Sequence, residues 1–296
     1  MELPMFGRVL TAMITCFDAE GALDCAETAR MAKWLAANGS DGLVVAGTTG
    51  ESATLSHDEK LKLFRCVCEA VGPDTKVLAG TGSYDTAATV SLSRAAGDTG
   101  VDGLLVVTPY YNKPSQEGLY QHYKAVAQST KLPIVLYNVP GRTQVNLEAQ
   151  TVIRLSEIDN IVGVKEASGL LAQVGDIVLG TPADFLVYGG ADEVNLPILA
   201  LGGVGNISVI SHVVGPDLQK MHRAFFGGDI DTARAIHLKT LAVTKAMFCA
   251  PSPTPTKTAL SLMGILPTPA VRLPLIDATD TERSRIQATL KEYGVL

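Results

Sequence analysis

Eight short apolar runs, each followed by a stretch of helical periodicity, constrain this chain more than any other feature. The runs are Val9–Ile14, Gly42–Ala46, Val77–Ala79, Gly103–Val107, Ile134–Tyr137, Ile161–Lys165, Phe185–Tyr188 and Gly205–Val209. Runs that are apolar throughout belong to strands covered on both faces, the condition of a parallel sheet. The helical stretches between them are Ala26–Ala37, a segment from the capping-box sequence Ser56-His57-Asp58-Glu59 to Val71, Asp85–Asp98, Ser115–Ser129, Leu147–Ser156, Leu170–Leu179 and Asp192–Leu201. Strands alternating with helices in this way predict an α/β chain closed into a (β/α)8 TIM barrel. An open doubly wound sheet is the other arrangement of such units, and the G-x-G-x-x-G turn that would favour it is missing after the first run.

His212–Phe226 supplies the eighth barrel helix, so residues 1–228 are expected to form the barrel. Residues 229–296 then read as a helical extension. In it Asp229–Phe248 is amphipathic, and Pro251, Pro253 and Pro255 predict an extended linker. A helix over Thr256–Gly264 follows, and Thr279-Asp280-Thr281-Glu282 caps a last one running to Tyr293. A single barrel domain accommodates the 296 residues, 47% of them hydrophobic.

Composition excludes several functions. The net charge is −6 and the basic residues are scattered, so no nucleic-acid footprint exists. The apolar runs are strand-sized and too short for a membrane span. Met1-Glu2-Leu3-Pro4 has no basic leader region. Five cysteines, Cys16, Cys25, Cys66, Cys68 and Cys249, lack C-x-x-C spacing and read as reduced packing residues of a cytoplasmic protein. The five histidines, His57, His122, His212, His222 and His237, include no ligand pair at a strand tip. Most of them read as helix-surface residues, so no metal is expected.

Active sites of such barrels lie at the C-terminal ends of the strands. The sixth run ends in Lys165 followed by Ser168-Gly169, which places an amine in the barrel mouth. Partial desolvation there is expected to lower its pKa and expose a nucleophile able to form a Schiff base with a carbonyl. The plainer role of a strand-end lysine is an ion pair with a carboxylate. The second run ends in Gly47-Thr48-Thr49-Gly50-Glu51-Ser52, either a nest of N–H groups for a carboxylate or an ordinary glycine turn. The fourth ends in Thr108-Pro109-Tyr110-Tyr111-Asn112-Lys113-Pro114, a stiff loop carrying two phenols, or an aromatic plug on a subunit surface. The fifth ends in Tyr137-Asn138-Val139-Pro140-Gly141-Arg142-Thr143, with a phenol at the tip and a guanidinium whose fork matches a carboxylate or a local ion pair. Gly189-Gly190 and Gly202-Gly203 allow close approach at the seventh and eighth strands. Together these residues predict a carboxylate-binding, carbonyl-reactive site.

The segments Gly47–Glu51, Thr108–Asn112, Tyr137–Thr143 and Gly163–Ala167 closely resemble the matching segments of the dihydrodipicolinate synthase family. They occur in the family's order, and the resemblance runs from about residue 7 to the C-terminus. It implies a (β/α)8 barrel with a C-terminal helical extension, assembled as a homotetramer from two dimers. It also implies a cofactor-free condensation of pyruvate with L-aspartate-4-semialdehyde on the diaminopimelate route to lysine. By resemblance Lys165 forms the Schiff base, Thr48 and Thr49 hold the pyruvate carboxylate or pass protons, and Tyr137 is the general acid/base. Tyr111 would reach across a dimer interface to complete a relay with Thr49 and Tyr137. Arg142 would bind the semialdehyde carboxylate, and Gly190 and Ile207 match backbone positions lining the pocket.

The resemblance falters at the family's lysine-inhibitory pocket. Ser52, Ala53, His57 and Tyr110 match positions used there. Lys60 stands where inhibited members often carry a histidine, and Tyr84 and Ala88 replace an asparagine and a glutamate. The effector's carboxylate partner is therefore missing, and weak or absent inhibition by lysine is expected. Sister aldolases that cleave N-acetylneuraminate or keto-deoxy sugar acids share the lysine and the Gly-Thr-Thr-Gly-Glu type of turn. Arg142 and the Tyr110-Tyr111 pair favour the synthase over these. The full set of Thr49, Tyr111, Tyr137 and Lys165 favours it over a barrel that only binds a keto acid.

Overall fold

The computed structural model describes residues 3–296; Met1 and Glu2, part of the stretch read for a leader, lie outside the described residues. The strands are β1 Val9–Ala12, β2 Gly42–Val45, β3 Lys76–Gly80, β4 Gly103–Val107, β5 Ile134–Asn138, β6 Ile161–Glu166, β7 Leu186–Gly189 and β8 Gly205–Ser208. All are parallel, and they close in sequence order into one barrel, with β8 returning to β1. The helices are α1 Cys25–Ala37, α2 His57–Val71, α3 Thr86–Ala96, α4 Gln116–Gln128, α5 Pro140–Thr143, α6 Ala149–Leu155, α7 Leu171–Gly180, α8 Asn195–Ala200, α9 Ser211–Phe226, α10 Ile230–Met247, α11 Thr254–Leu262 and α12 Asp280–Tyr293. The chain is thus a (β/α)8 barrel with a C-terminal helical extension.

Strand alternation divides the core in two. Leu43, Val45, Leu104, Val106, Ile134 and Leu136 point outward and pack with Met31, Leu35, Leu63 and Phe64 of α1 and α2. Val44, Leu105, Val135, Tyr137, Leu186 and Tyr188 point inward. The same period of two turns Val164 outward and Lys165 inward. The inward cluster continues into Leu218, Met221, Val243, Met247, Ile286 and Leu290, so the extension shares the barrel's own core.

Both predicted capping boxes form, at Ser56–Glu59 and Thr279–Glu282. Three expectations are corrected. Pro251–Pro255 is a tight turn and not an extended linker: Pro255 occupies the first turn of α11, where its missing N–H costs nothing. The helix expected from Asp192 opens as a single 3₁₀ turn, Asp192–Val194, before α8. Four of the five histidines are buried and not on helix surfaces: His122, His212, His222 and His237. A backbone carbonyl or a hydroxyl meets Nδ1 of the first three: Thr86 at His122, Val209 at His212 and Leu218 at His222.

Candidate active site

Every residue of the lysine-centred reading except Tyr111 and Ile207 lines one of two adjoining cavities at the C-terminal mouth of the barrel. The larger, about 500 Å³, is lined by Thr48, Thr49, Tyr137, Arg142, Lys165 and Gly190 among others. The smaller, about 330 Å³, shares Thr48, Tyr137 and Arg142 and runs on to Ser52, Ala53 and Tyr110.

Lys165 pairs in register with Tyr137 on one side and Tyr188 on the other. Its side chain is only 4% exposed, and its ammonium lies 4.4 Å from the centre of the Tyr137 ring. Among the described residues that ammonium makes no hydrogen bond and no ion pair. The adjacent carboxylate is engaged elsewhere: Glu166 accepts from Asn138 Nδ2 at 3.0 Å, Gln173 Nε2 at 3.0 Å and the Ser168 amide at 2.6 Å. The lysine–carboxylate pair considered from position alone is therefore not formed. Room for the lysine stem depends on Gly190, where a Cβ would lie 2.9 Å from Lys165 Cγ and Cε.

Thr48 and Thr49 sit in a turn closed by bonds from the Gly50 and Ser52 amides to the Gly47 carbonyl. Their own amides and hydroxyls find no partner among the described residues, which leaves unpartnered donors on two residues that line the larger cavity. The turn is flanked by Ala46 and Glu51, both in the left-handed region with φ of 54° and 55°. All five non-glycine residues with positive φ among those described, including Tyr111, Lys113 and Gln144, lie in loops after β2, β4 and β5. Strained backbone is thus concentrated at the barrel mouth. Gly80 permits the approach, because a Cβ there would stand 2.3 Å from the Ala46 carbonyl oxygen.

Tyr137 is held by its carbonyl, which accepts from the Thr108 amide at 2.9 Å and the Thr108 hydroxyl at 2.8 Å. Its phenol is unpartnered among the described residues. The loop after β5 forms α5, a single helical turn absent from the sequence reading. Val139 starts this turn by accepting from the Arg142 and Thr143 amides. Arg142 is exposed, and its guanidinium has no partner among the described residues. Tyr188 is fully buried and donates to the Gly7 carbonyl at 2.9 Å, so it belongs to the barrel floor. Ile207 is buried beside Leu10 and lines neither cavity. Tyr111 is 90% exposed and stands outside both cavities.

The whole-chain match to the model of the dihydrodipicolinate synthetase family covers residues 5–293. The chain belongs to that family. It is 55% identical to the 4-hydroxy-tetrahydrodipicolinate synthase of Moorella thermoacetica, over 98% of this chain and 99% of the relative. The crystal structure of a dihydrodipicolinate synthase from Bacillus anthracis superposes with a TM-score of 0.95 at 47% identity, covering 98% of this chain and 99% of that one. A family member from Cyanidioschyzon merolae, solved with lysine bound, superposes with a TM-score of 0.96 at 43% identity over 98% and 99% of the two chains. Within the family fold, residues that local sequence pattern did not single out include Glu193 and Lys245, which line the larger cavity, and the buried Lys257, which pairs with Glu51 behind the turn. All three owe their place to tertiary packing alone. Among the described residues no group of three or more His, Cys, Asp or Glu is placed to hold a metal ion.

Proposed function

We propose that this chain condenses pyruvate with L-aspartate-4-semialdehyde to give 4-hydroxy-tetrahydrodipicolinate, in the diaminopimelate branch of lysine biosynthesis. The observation that carries the reading is Lys165: a buried amine in the barrel mouth, free of any ion pair, beside unpartnered threonine and tyrosine hydroxyls. Thr48 and Thr49 receive the pyruvate carboxylate. The neutral amine of Lys165 adds to the ketone, water leaves, and an imine results. The imine accepts electrons better than the ketone, so the methyl group gives up a proton and an enamine forms. The enamine carbon attacks the aldehyde, Tyr137 supplies the proton to the new alkoxide, and Arg142 holds the semialdehyde carboxylate. Ring closure by the substrate's amine at the imine carbon then frees Lys165. The imine is the electron sink, so this route uses no cofactor.

In this reading residues 1–228 are the catalytic barrel and residues 229–296 the extension that closes its core. Tyr111, exposed and left-handed at φ 73°, is supplied to the site of a second copy. That exchange supports a homo-oligomer, a tetramer made of two dimers. No helix among the described residues is long and apolar enough to cross a membrane, and we place the enzyme in the cytoplasm. The test is borohydride reduction in the presence of pyruvate, followed by peptide mass spectrometry. A reduced pyruvyl adduct on Lys165, lost in Lys165→Ala, is expected; an adduct on another lysine would remove Lys165 from the role.

A further inference from the structure

The larger cavity extends beyond what a three-carbon keto acid occupies. Its inner end is Lys165 with the Thr48-Thr49 turn; its outer wall carries Glu193 and Lys245. Glu193 lies in the 3₁₀ turn that follows β7. This turn is anchored by the buried carboxylate of its neighbour Asp192, which accepts from the Val209 and Ile210 amides at 2.9 and 3.0 Å. Lys245 lies in the last turn of α10, between the buried residues Thr244 and Ala246. The backbones of both are therefore fixed, while both charged heads are exposed at the cavity rim. Neither forms an ion pair or side-chain hydrogen bond among the described residues, so both heads are available to a ligand in the cavity they line. Arg142, which follows β5 and lines the same cavity, is likewise unpaired among the described residues.

Two free cations and one free anion around a single mouth complement a zwitterion. We infer that Lys245 and Glu193 are specificity-determining contacts for the second substrate: Lys245 joins Arg142 on its carboxylate, and Glu193 receives its ammonium. The ligand class is an α-amino acid whose side chain ends in an aldehyde. This deepens the proposed function and rests on it. The C-terminal extension thereby supplies a substrate contact that the barrel alone lacks. The first substrate is bound deeper, at Thr48 and Thr49, so its binding is independent of these two heads.

Steady-state kinetics on the full chain test the assignment. Lys245→Met is expected to raise the KM for the amino-acid semialdehyde about tenfold, the loss of one charge-assisted contact. The KM for pyruvate and the yield of borohydride-trapped adduct should hold, kcat should move less than the semialdehyde KM, and Lys245→Arg should restore most of the loss. Glu193→Gln should weaken the semialdehyde but leave inhibition by the amine-free analogue, a four-carbon ω-oxo acid, unchanged; Lys245→Met should weaken both. An unaltered semialdehyde KM in both variants, or an equal rise in the pyruvate KM, would overturn the assignment while the proposed function stood. No condensation by the unsubstituted chain would instead overturn the proposed function, and this assignment with it.

Discussion

Lys257 Nζ lies 2.6 Å from Glu51 Oε1, and neither side chain reaches solvent. Glu51 ends the Gly47–Glu51 turn, and its other oxygen accepts from the Arg272 amide at 2.9 Å. Lys257 also donates to the Ala270 carbonyl at 2.6 Å, and the Lys257 and Arg272 cations stand 4.4 and 4.3 Å from the centre of the Phe17 ring. The extension thus holds the turn that presents Thr48 and Thr49. Burial lowers the pKa of Lys257, and the neighbouring Glu51 carboxylate opposes that shift. Lys257→Met strands a buried carboxylate and is expected to destabilise the chain by about 3–5 kcal/mol. Adding Glu51→Gln should recover much of that, because no uncompensated charge then remains. Urea unfolding of the single and double variants measures both, and equal stability of Lys257→Met and the parent would refute the account.

Gly190 and Lys165 are matched by shape. A methyl group at Gly190 would meet Lys165 Cγ and Cε and Ala167 Cβ, all at 2.9 Å, and these are stem atoms with little room to retreat. Overpacking of this kind costs about 1–3 kcal/mol. Gly190→Ala is therefore expected to slow Schiff-base formation about 10- to 100-fold while the fold survives. Stopped-flow trapping of pyruvate gives the rate, and circular dichroism checks the fold.

Much of this site was legible in the sequence. Strand alternation alone sends Lys165 inward once Val164 faces the helices, and the turn residues after β2 and β5 announce themselves through glycine and proline. The Lys257–Glu51 pair was not legible, because its members lie 206 residues apart and no local period joins them. Seven consecutive residues of α11, Thr254–Leu260, are buried, yet four of them are threonine or lysine and read as surface in any hydrophobic pattern. Histidines fail for a related reason. His212 satisfies both ring nitrogens on backbone, with Nδ1 at 2.8 Å from the Val209 carbonyl and Nε2 accepting from the Ile14 amide at 3.2 Å, and sequence carries no mark of that.

Tyr84 packs edge-on against Tyr110, with ring centres 5.4 Å apart, at two of the positions that the resemblance implies for an inhibitory lysine pocket. Ser52, Ala53 and Tyr110 line the adjoining cavity, while exposed Ala88 brings no carboxylate. Lys60 on α2, its pKa lowered by burial, stands at the position where the resemblance implies a histidine in inhibited members, and it lines neither cavity. Millimolar lysine is expected to leave the initial rate unchanged. Halving of the rate at submillimolar lysine in the coupled assay would contradict this.

The buried histidines are expected to govern the acid limit of the fold. Burial pushes His122, His212 and His222 down to about 4 from an ordinary 6.5. The His212 contacts require the neutral ring with its proton on Nδ1, because Nε2 must accept from Ile14. Between pH 6.5 and about 4 the unfolded chain therefore binds protons that the folded chain refuses. Stability is fully present above that window and is lost as the pH falls through it, by about 1.4 kcal/mol per pH unit for each such histidine. Thermal unfolding should accordingly show a flat Tm from pH 7 to 8 and a steep fall below pH 6. His222→Gln, which keeps a donor for the Leu218 carbonyl, should flatten that fall by about one quarter to one third, because burial lowers His237 as well. An unchanged slope in His222→Gln, or a Tm that holds to pH 4.5, would show that the buried rings are not the groups in control.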